Sequence, residues 1–185
     1  MVGTTLLTDL IATEIESDYF DQTVKPIHIM NGQGKIGKIG GIDFIAKLDK
    51  SQTGGLMACD EATLKPGFLG APPHLHKQTD EVCYVLEGTV TILVGEITEE
   101  VKKGDWHLCP KGVMHTFWNA GTETAKFIDI YLPGGHEEYM QDLAKLFENN
   151  KQPQKEDIAA LALKHDIVYF WEKLPDIMTS HNVHL

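Results

Sequence analysis

Cysteine is scarce in this chain. The three present, Cys59, Cys83 and Cys109, are too few and too irregularly spaced for a disulfide framework or a zinc ribbon. A reduced, cytoplasmic setting is the resulting expectation. Long apolar runs are also missing, and no stretch approaches the roughly 20 residues that a bilayer-spanning helix needs. The opening MVGTTLLTDL has an acid at Asp9 and neither a basic segment nor a long apolar centre, so it does not read as a signal peptide. No Asn-x-Ser/Thr acceptor occurs. Serine is limited to Ser17, Ser51 and Ser180, none in a G-x-S-x-G turn, which leaves nucleophilic hydrolysis poorly supported. Basic residues are outnumbered, 16 against 27 acidic ones, for a net charge of -11. That balance argues against nucleic acid or an anionic membrane as a partner. Its ordinary role is solubility.

What is present is typical of a globular domain, with 42% hydrophobic and 23% charged residues. The length suits one domain over residues 1–185 with appended helices. Leu6, Leu7, Leu10, Ile11 and Ile15 recur at helical spacing. They predict an amphipathic N-terminal helix, packed on the domain or on a partner. Residues 24–49 look β-like. Gly32, Gly34 and Gly37 spell G-x-G-x-x-G, but strand-like sequence follows where a dinucleotide site needs a helix. A hairpin loop is expected there instead. LMACDEATL, EVCYVLE, TVTILVG, ITEEVK, DWHLCP, VMHTFWN and TAKFIDIYL then recur as short strand-like runs between turns. Such spacing predicts an antiparallel sandwich or barrel over about residues 24–132. From about residue 134 to about 171 the pattern becomes helical. This extension is expected to lie across the outside or the mouth of the barrel. A weakly ordered tail is expected after it.

Chemistry concentrates in residues 72–88, PPHLHKQTDEVCYVLEG. His74 and His76 stand at i and i+2, and share a face only on an extended backbone. Pro72 and Pro73 fix that extension just ahead of them. Glu81 opens the next strand-like run and offers an oxygen. Two imidazoles and one carboxylate are typical of open-shell divalent metals with free coordination positions. Residues 104–119, GDWHLCPKGVMHTFWN, offer His115 as a third imidazole between turn signals. Strand parity puts Glu81 with Cys83, and His115 with Phe117, so Cys83 and Phe117 belong near the metal. Phe68, Cys59, Met57 and Trp106 are looser pocket candidates, of which Met57 and Trp106 read more simply as core. His28 reads as a packed or surface residue, and His107, His136, His165, His181 and His184, which have no such partners, read as surface residues.

The two stretches resemble the paired motifs of the cupin superfamily, G-x5-HxH-x3-4-E-x6-G and G-x5-P-x-G-x2-H-x3-N. The second fits at every named position. The first fits from His74 through Glu81 to Gly88, while its leading glycine is displaced, Gly67 falling one residue early and Gly70 late. The resemblance implies a mainly β fold, a cupin-type jelly-roll β-barrel, with one metal held by His74, His76, Glu81 and His115. Iron, nickel, manganese, cobalt, copper and zinc all suit that donor set.

The segments YLPGG-x-E and DIAALALKHDI further resemble quercetin 2,3-dioxygenase-like monocupins. That resemblance implies a metal-dependent dioxygenase, with dioxygen and a small flavonol-type aromatic molecule as substrates. The residue matching Glu81 would take the substrate hydroxyl proton, and the heterocycle would open with loss of carbon monoxide. It also implies a homodimer. Isomerase, lyase or decarboxylase chemistry on the same metal stays open, as does small-ligand binding without turnover. A phosphate substrate would want Arg or Lys at the pocket, and the motif region offers only Lys77, Lys102, Lys103 and Lys111, mostly in turns. The aromatic residues there favour an apolar or aromatic substrate.

Overall fold

The computed structural model describes residues 24–185. Its eleven strands are Lys35–Ile39 (β1), Ile42–Leu48 (β2), Ala58–Leu64 (β3), His74–His76 (β4), Asp80–Glu87 (β5), Thr89–Val94 (β6), Ile97–Lys102 (β7), Trp106–Cys109 (β8), His115–Trp118 (β9), Ala125–Leu132 (β10) and Ile167–Tyr169 (β11). They form a six-stranded sheet in the order β1-β2-β3-β10-β5-β8 and a five-stranded sheet in the order β11-β4-β9-β6-β7. Every ladder is antiparallel. Among the described residues no ladder closes the two sheets into one cylinder. The expected barrel is thus two facing sheets, with β1, β8, β11 and β7 at the edges.

Alternation of side chains builds the core between them. On β3 each second residue is buried, and β5 and β10 repeat that pattern. Phe44, Leu64, Val85 and Phe127 from the larger sheet meet Val90, Ile92 and Val101 from the smaller one. Fully burying a side chain of this kind stabilises the fold by about 1.5–3 kcal/mol. The hairpin expected in the glycine-rich segment turns at Gly40-Gly41, later than the G-x-G-x-x-G itself. A Cβ on Gly41 would lie 2.3 Å from the Phe68 ring, so the turn fits closely under that aromatic. Residues 24–30 correct the β-like reading. They join no ladder, and Val24, Ile27 and Met30 are exposed with no sheet to face.

Asn119, the last residue of the second motif, is buried and ties down the β9–β10 connection. Its Nδ2 donates to the carbonyls of Leu64 at 2.9 Å and Glu123 at 2.8 Å, and its Oδ1 accepts from the Gly121 amide at 2.9 Å. Asn119→Ala would remove the donor to the Leu64 and Glu123 carbonyls and the side-chain acceptor of the Gly121 amide. A drop of about 5–10 °C in melting temperature is expected by calorimetry. A change within experimental error would show that the side chain is not the anchor.

The helices are His136–Leu146 (α1), Lys155–Ala162 (α2) and Leu174–His181 (α3). Tyr139 and Leu143 of α1, Ile158 and Ala162 of α2 and Ile167 of β11 form a second apolar cluster. It closes one end of the space between the sheets. The buried Glu137 anchors the start of α1, accepting from the amides of Lys50 at 2.8 Å and Gly135 at 2.6 Å. The tail reads differently from its expectation. Pro175 opens α3, which lies on the outer face of the five-stranded sheet, where Ile177 and Val183 pack on Trp118 and Leu69. His184 then bridges to Phe68. The proposed helix over residues 4–20 lies outside the described residues. No described helix is long and apolar enough to cross a membrane.

Candidate metal centre

Two neighbouring strands of the five-stranded sheet carry the histidines. His74 on β4 pairs directly with His115 on β9, and His76 follows two residues on. Glu81 comes from β5 in the opposite sheet. The connection between β4 and β5 therefore crosses from one sheet to the other, and Asp166 clamps it. One Asp166 oxygen accepts from the amides of Gln78 at 2.7 Å and Thr79 at 3.0 Å and from the Thr79 hydroxyl at 3.1 Å. The helical extension thereby fixes where Glu81 enters.

His74, His76, Glu81 and His115 are all buried, and one donor atom from each lies within 4.8 Å of the others. Nδ1 of His74 donates to the Pro72 carbonyl at 2.8 Å and Nδ1 of His115 to the Val113 carbonyl at 3.1 Å. A carbonyl can only accept, so both rings keep Nε2 unprotonated and free to bind when neutral. One Glu81 oxygen stands 3.2 Å from His115 Nε2 and 3.3 Å from His76 Nε2. Ligands about 2.1 Å from one ion lie about 3.0–3.4 Å apart at octahedral or tetrahedral angles. The observed spacing falls there. His76 is 1% exposed, yet neither ring nitrogen has a hydrogen-bond partner of good geometry. Buried polar atoms are rarely left so. The residues fit a single divalent ion.

The electrostatics agree. Burial, with His115 and His76 adding, holds His74 well below the usual imidazole range, so it is neutral and ready to bind. Burial alone would raise the Glu81 carboxyl, but the adjoining His115 and His76 rings overcome it and keep Glu81 well below the usual carboxylate range. Burial likewise opposes charge on His115, and the adjoining Glu81 reverses that and raises its pKa.

A cavity of about 300 Å³ opens on this cluster and reaches His74 and Glu81. Its walls include Phe44, Phe68, Phe117, Leu143 and Ile158, with Asp60, Asp129 and Tyr131 on the six-stranded sheet. Phe68 and Phe117 thus face the cavity. Cys83 is buried off its wall, opposite Asp129 in the β5–β10 ladder. Burial, with Asp129 adding, pushes its thiol far above the usual range. Cys59 occupies the other face of β3 from Asp60, and Trp106 is exposed and stacks on Tyr84. Neither they nor Met57 line the cavity.

His136 corrects its surface reading. It is half-buried at the start of α1, lines the cavity, and sits 4.8 Å from the His76 ring and 4.3 Å from the Tyr131 ring. Burial, with His76 adding, takes it well below the usual imidazole range. His107 and His165 are also half-buried, the first beside Glu99 and the second against Tyr139. His28, His181 and His184 are exposed. Asp60, Asp129, Tyr131 and the paired hydroxyls of Tyr139 and Tyr169 were not singled out from sequence. Parity carries a signal for the acids, since Asp60 stands between Ala58 and Ala62, and Asp129 between Phe127 and Tyr131, on inward positions.

Comparison with known proteins agrees with this architecture. The cupin domain family matches residues 60–131. Germin-like protein subfamily 2 member 1 of Arabidopsis thaliana is 35% identical over 107 residues, which cover 54% of this chain and 46% of that one. The chain spans about half the length of the germin-like relatives it matches. A predicted oxalate decarboxylase from Thermotoga maritima superposes with a TM-score of 0.54 at 17% identity, over 58% of this chain and 99% of that one. KdgF from Halomonas sp. superposes at 0.53 with 17% identity, over 62% and 99%. At such identities the structures share the fold alone. The stretch that matches the cupin domain family, residues 60–131, holds all four members of the inward cluster of three histidines and a glutamate and most of the two antiparallel sheets, so the chain is similar to cupins in both its fold and its candidate metal centre.

Proposed function

We propose that this chain holds one divalent transition metal on His74, His76, Glu81 and His115 and acts as a quercetinase-like dioxygenase on a small flavonol-type aromatic substrate. The observation that carries this reading is the aromatic-walled cavity of about 300 Å³ that opens on the cluster. When bound, the metal supplies Lewis acidity that favours the ionised form of a substrate hydroxyl. Glu81, kept ionised in the resting fold, accepts that hydroxyl proton within hydrogen-bond reach. Phe68 and Phe117 flank the substrate ring, and the α1–α2 cap keeps water from the reacting atoms. Cavities of roughly 300–1,000 Å³ are the ordinary size of small-ligand sites, and this one is at the small end. The chain has no arginine and no described lysine lines the cavity, which disfavours phosphorylated or strongly anionic substrates.

The test is oxygen uptake with quercetin by protein loaded in turn with iron, nickel, manganese, cobalt, copper and zinc. Uptake with carbon monoxide release under at least one metal is expected. No uptake by protein shown to be loaded would move the function to another metal-cupin reaction or to ligand binding.

A further inference from the structure

Two carboxyl groups in the cavity have no part in the proposed reaction. Asp60 on β3 and Asp129 on β10 are directly opposed in their ladder, on the sheet that also carries Glu81. Their side chains are 1% and 5% exposed, and both line the cavity. Neither oxygen of Asp60 has a hydrogen-bond partner. The residues around Asp60 on the inner face are small. Ala58 and Ala62 flank it along β3, and Ala46 opposes it on β2. The carboxyl therefore stands at the cavity wall over small apolar side chains, with Tyr131 as its polar neighbour there.

A fold gains nothing from this arrangement by itself. Buried polar groups are nearly always paired, and like charges directly opposite on neighbouring strands repel. The pair relieves that repulsion by holding a proton. Burial, with Glu137 and Glu81 adding, raises Asp60 to about 7, against a smaller opposing effect of Tyr131. Burial, with Glu81 and Asp60 adding, raises Asp129 well above the usual range. A protonated carboxyl beside a second carboxyl can both donate and accept.

We infer that Asp60 and Asp129 form a second ligand subsite, which receives a hydroxyl group on a part of the ligand remote from the metal cluster. The cavity then takes a small molecule with an apolar or aromatic body and polar groups at two ends. One end meets the histidine cluster and the other the aspartate pair. This deepens the proposed function but rests on it only in taking the cavity as the ligand site.

The test uses the full chain without metal, dioxygen or flavonol, so that its failure is separate from failure of the dioxygenase reading. Phenol and toluene are titrated against protein carrying ¹³C-methyl methionine, with Met140 on the cavity wall as reporter. The quantity read is the ratio of the toluene Kd to the phenol Kd. It is expected to fall by about tenfold or more in Asp60→Leu and Asp60→Ala, and to be largely kept in Asp60→Asn. The alanine variant adds no bulk and serves if the leucine variant does not fold. In the absence of ligand, Asp60→Ala is expected to melt no lower than the unaltered protein, because an unpaired buried acid is removed. An unchanged ratio, failure of both probes to bind the unaltered protein, or a clear fall in melting temperature in all three variants would overturn the inference.

Discussion

Glu81→Gln is expected to lower flavonol turnover per bound metal by about 10²–10⁴-fold, the usual contribution of a positioned general base. Glutamine keeps the size and one oxygen of the side chain but cannot take up a proton at neutral pH. In the resting fold the Glu81 oxygen sits 3.2 Å from His115 and 3.3 Å from His76, and those contacts hold it ionised despite burial. An amide oxygen makes weaker contacts at the same distances, and three imidazoles still surround the position. Part of the metal is therefore retained, and rates must be divided by metal content from elemental analysis. The expected pattern is a large fall in kcat with a smaller change in KM, because proton acceptance occurs on the way to the transition state while the apolar walls bind the ground state. The pH–rate profile should also lose the acidic limb that reports a base in the free enzyme. Full turnover per metal in the variant would take the proton from Glu81 and require another acceptor.

The cluster of His74, His76, Glu81 and His115 was legible in sequence because its determinants are local. An HxH pair on an extended backbone has one geometry, and the two prolines ahead of it remove the alternatives. Strand parity then placed Phe117 on the same face as His115. Parity alone did not place Cys83 on the cavity wall, since the space beside it is filled by the opposed Asp129. The displaced motif glycine also has a tertiary cause. A Cβ on Gly70 would fall 1.9 Å from the Phe117 ring, so a glycine is needed where that aromatic meets the chain. His136 follows a Pro-Gly-Gly turn, and its place over His76 depends on where α1 docks, which no spacing within the chain specifies. β11 is similar. IVYFW is as compatible with a short buried helix as with a strand, and becomes a strand because the open edge of β4 lies beside it. The closed sheet implied by the family resemblance depends on hydrogen bonds between distant strand edges, which local patterns do not encode.

His115→Ala is expected to reduce bound metal to below about a tenth of an equivalent after dialysis. Altering a residue that only supports a ligand already lowers affinity about 10–100-fold, and His115 is one of the four residues proposed to hold the ion. It is also the ring that sets Glu81, since burial alone would raise that carboxyl and the His115 contact is the largest influence opposing it. Alanine leaves Glu81 buried with His76 as its remaining imidazole partner, and breaking a buried pair of this kind costs about 3–5 kcal/mol. The metal-free variant should therefore melt well below the metal-free parent, by roughly 10 °C for a chain of this size. Linkage separates the two effects. Zinc at 100 times its Kd would stabilise the parent by about 2.7 kcal/mol, whereas the same zinc should leave the variant's melting temperature nearly unmoved. His136→Ala is the necessary control. His136 packs on His76 and lines the cavity but is outside the donor set, so its loss should leave metal content near that of the parent. Equal metal in His115→Ala and the parent would sink the assignment of the centre. Equal loss in His115→Ala and His136→Ala would instead mean that the metal depends on the packing of the cavity as a whole, and that the donor set is wider than the four residues the two motifs supply.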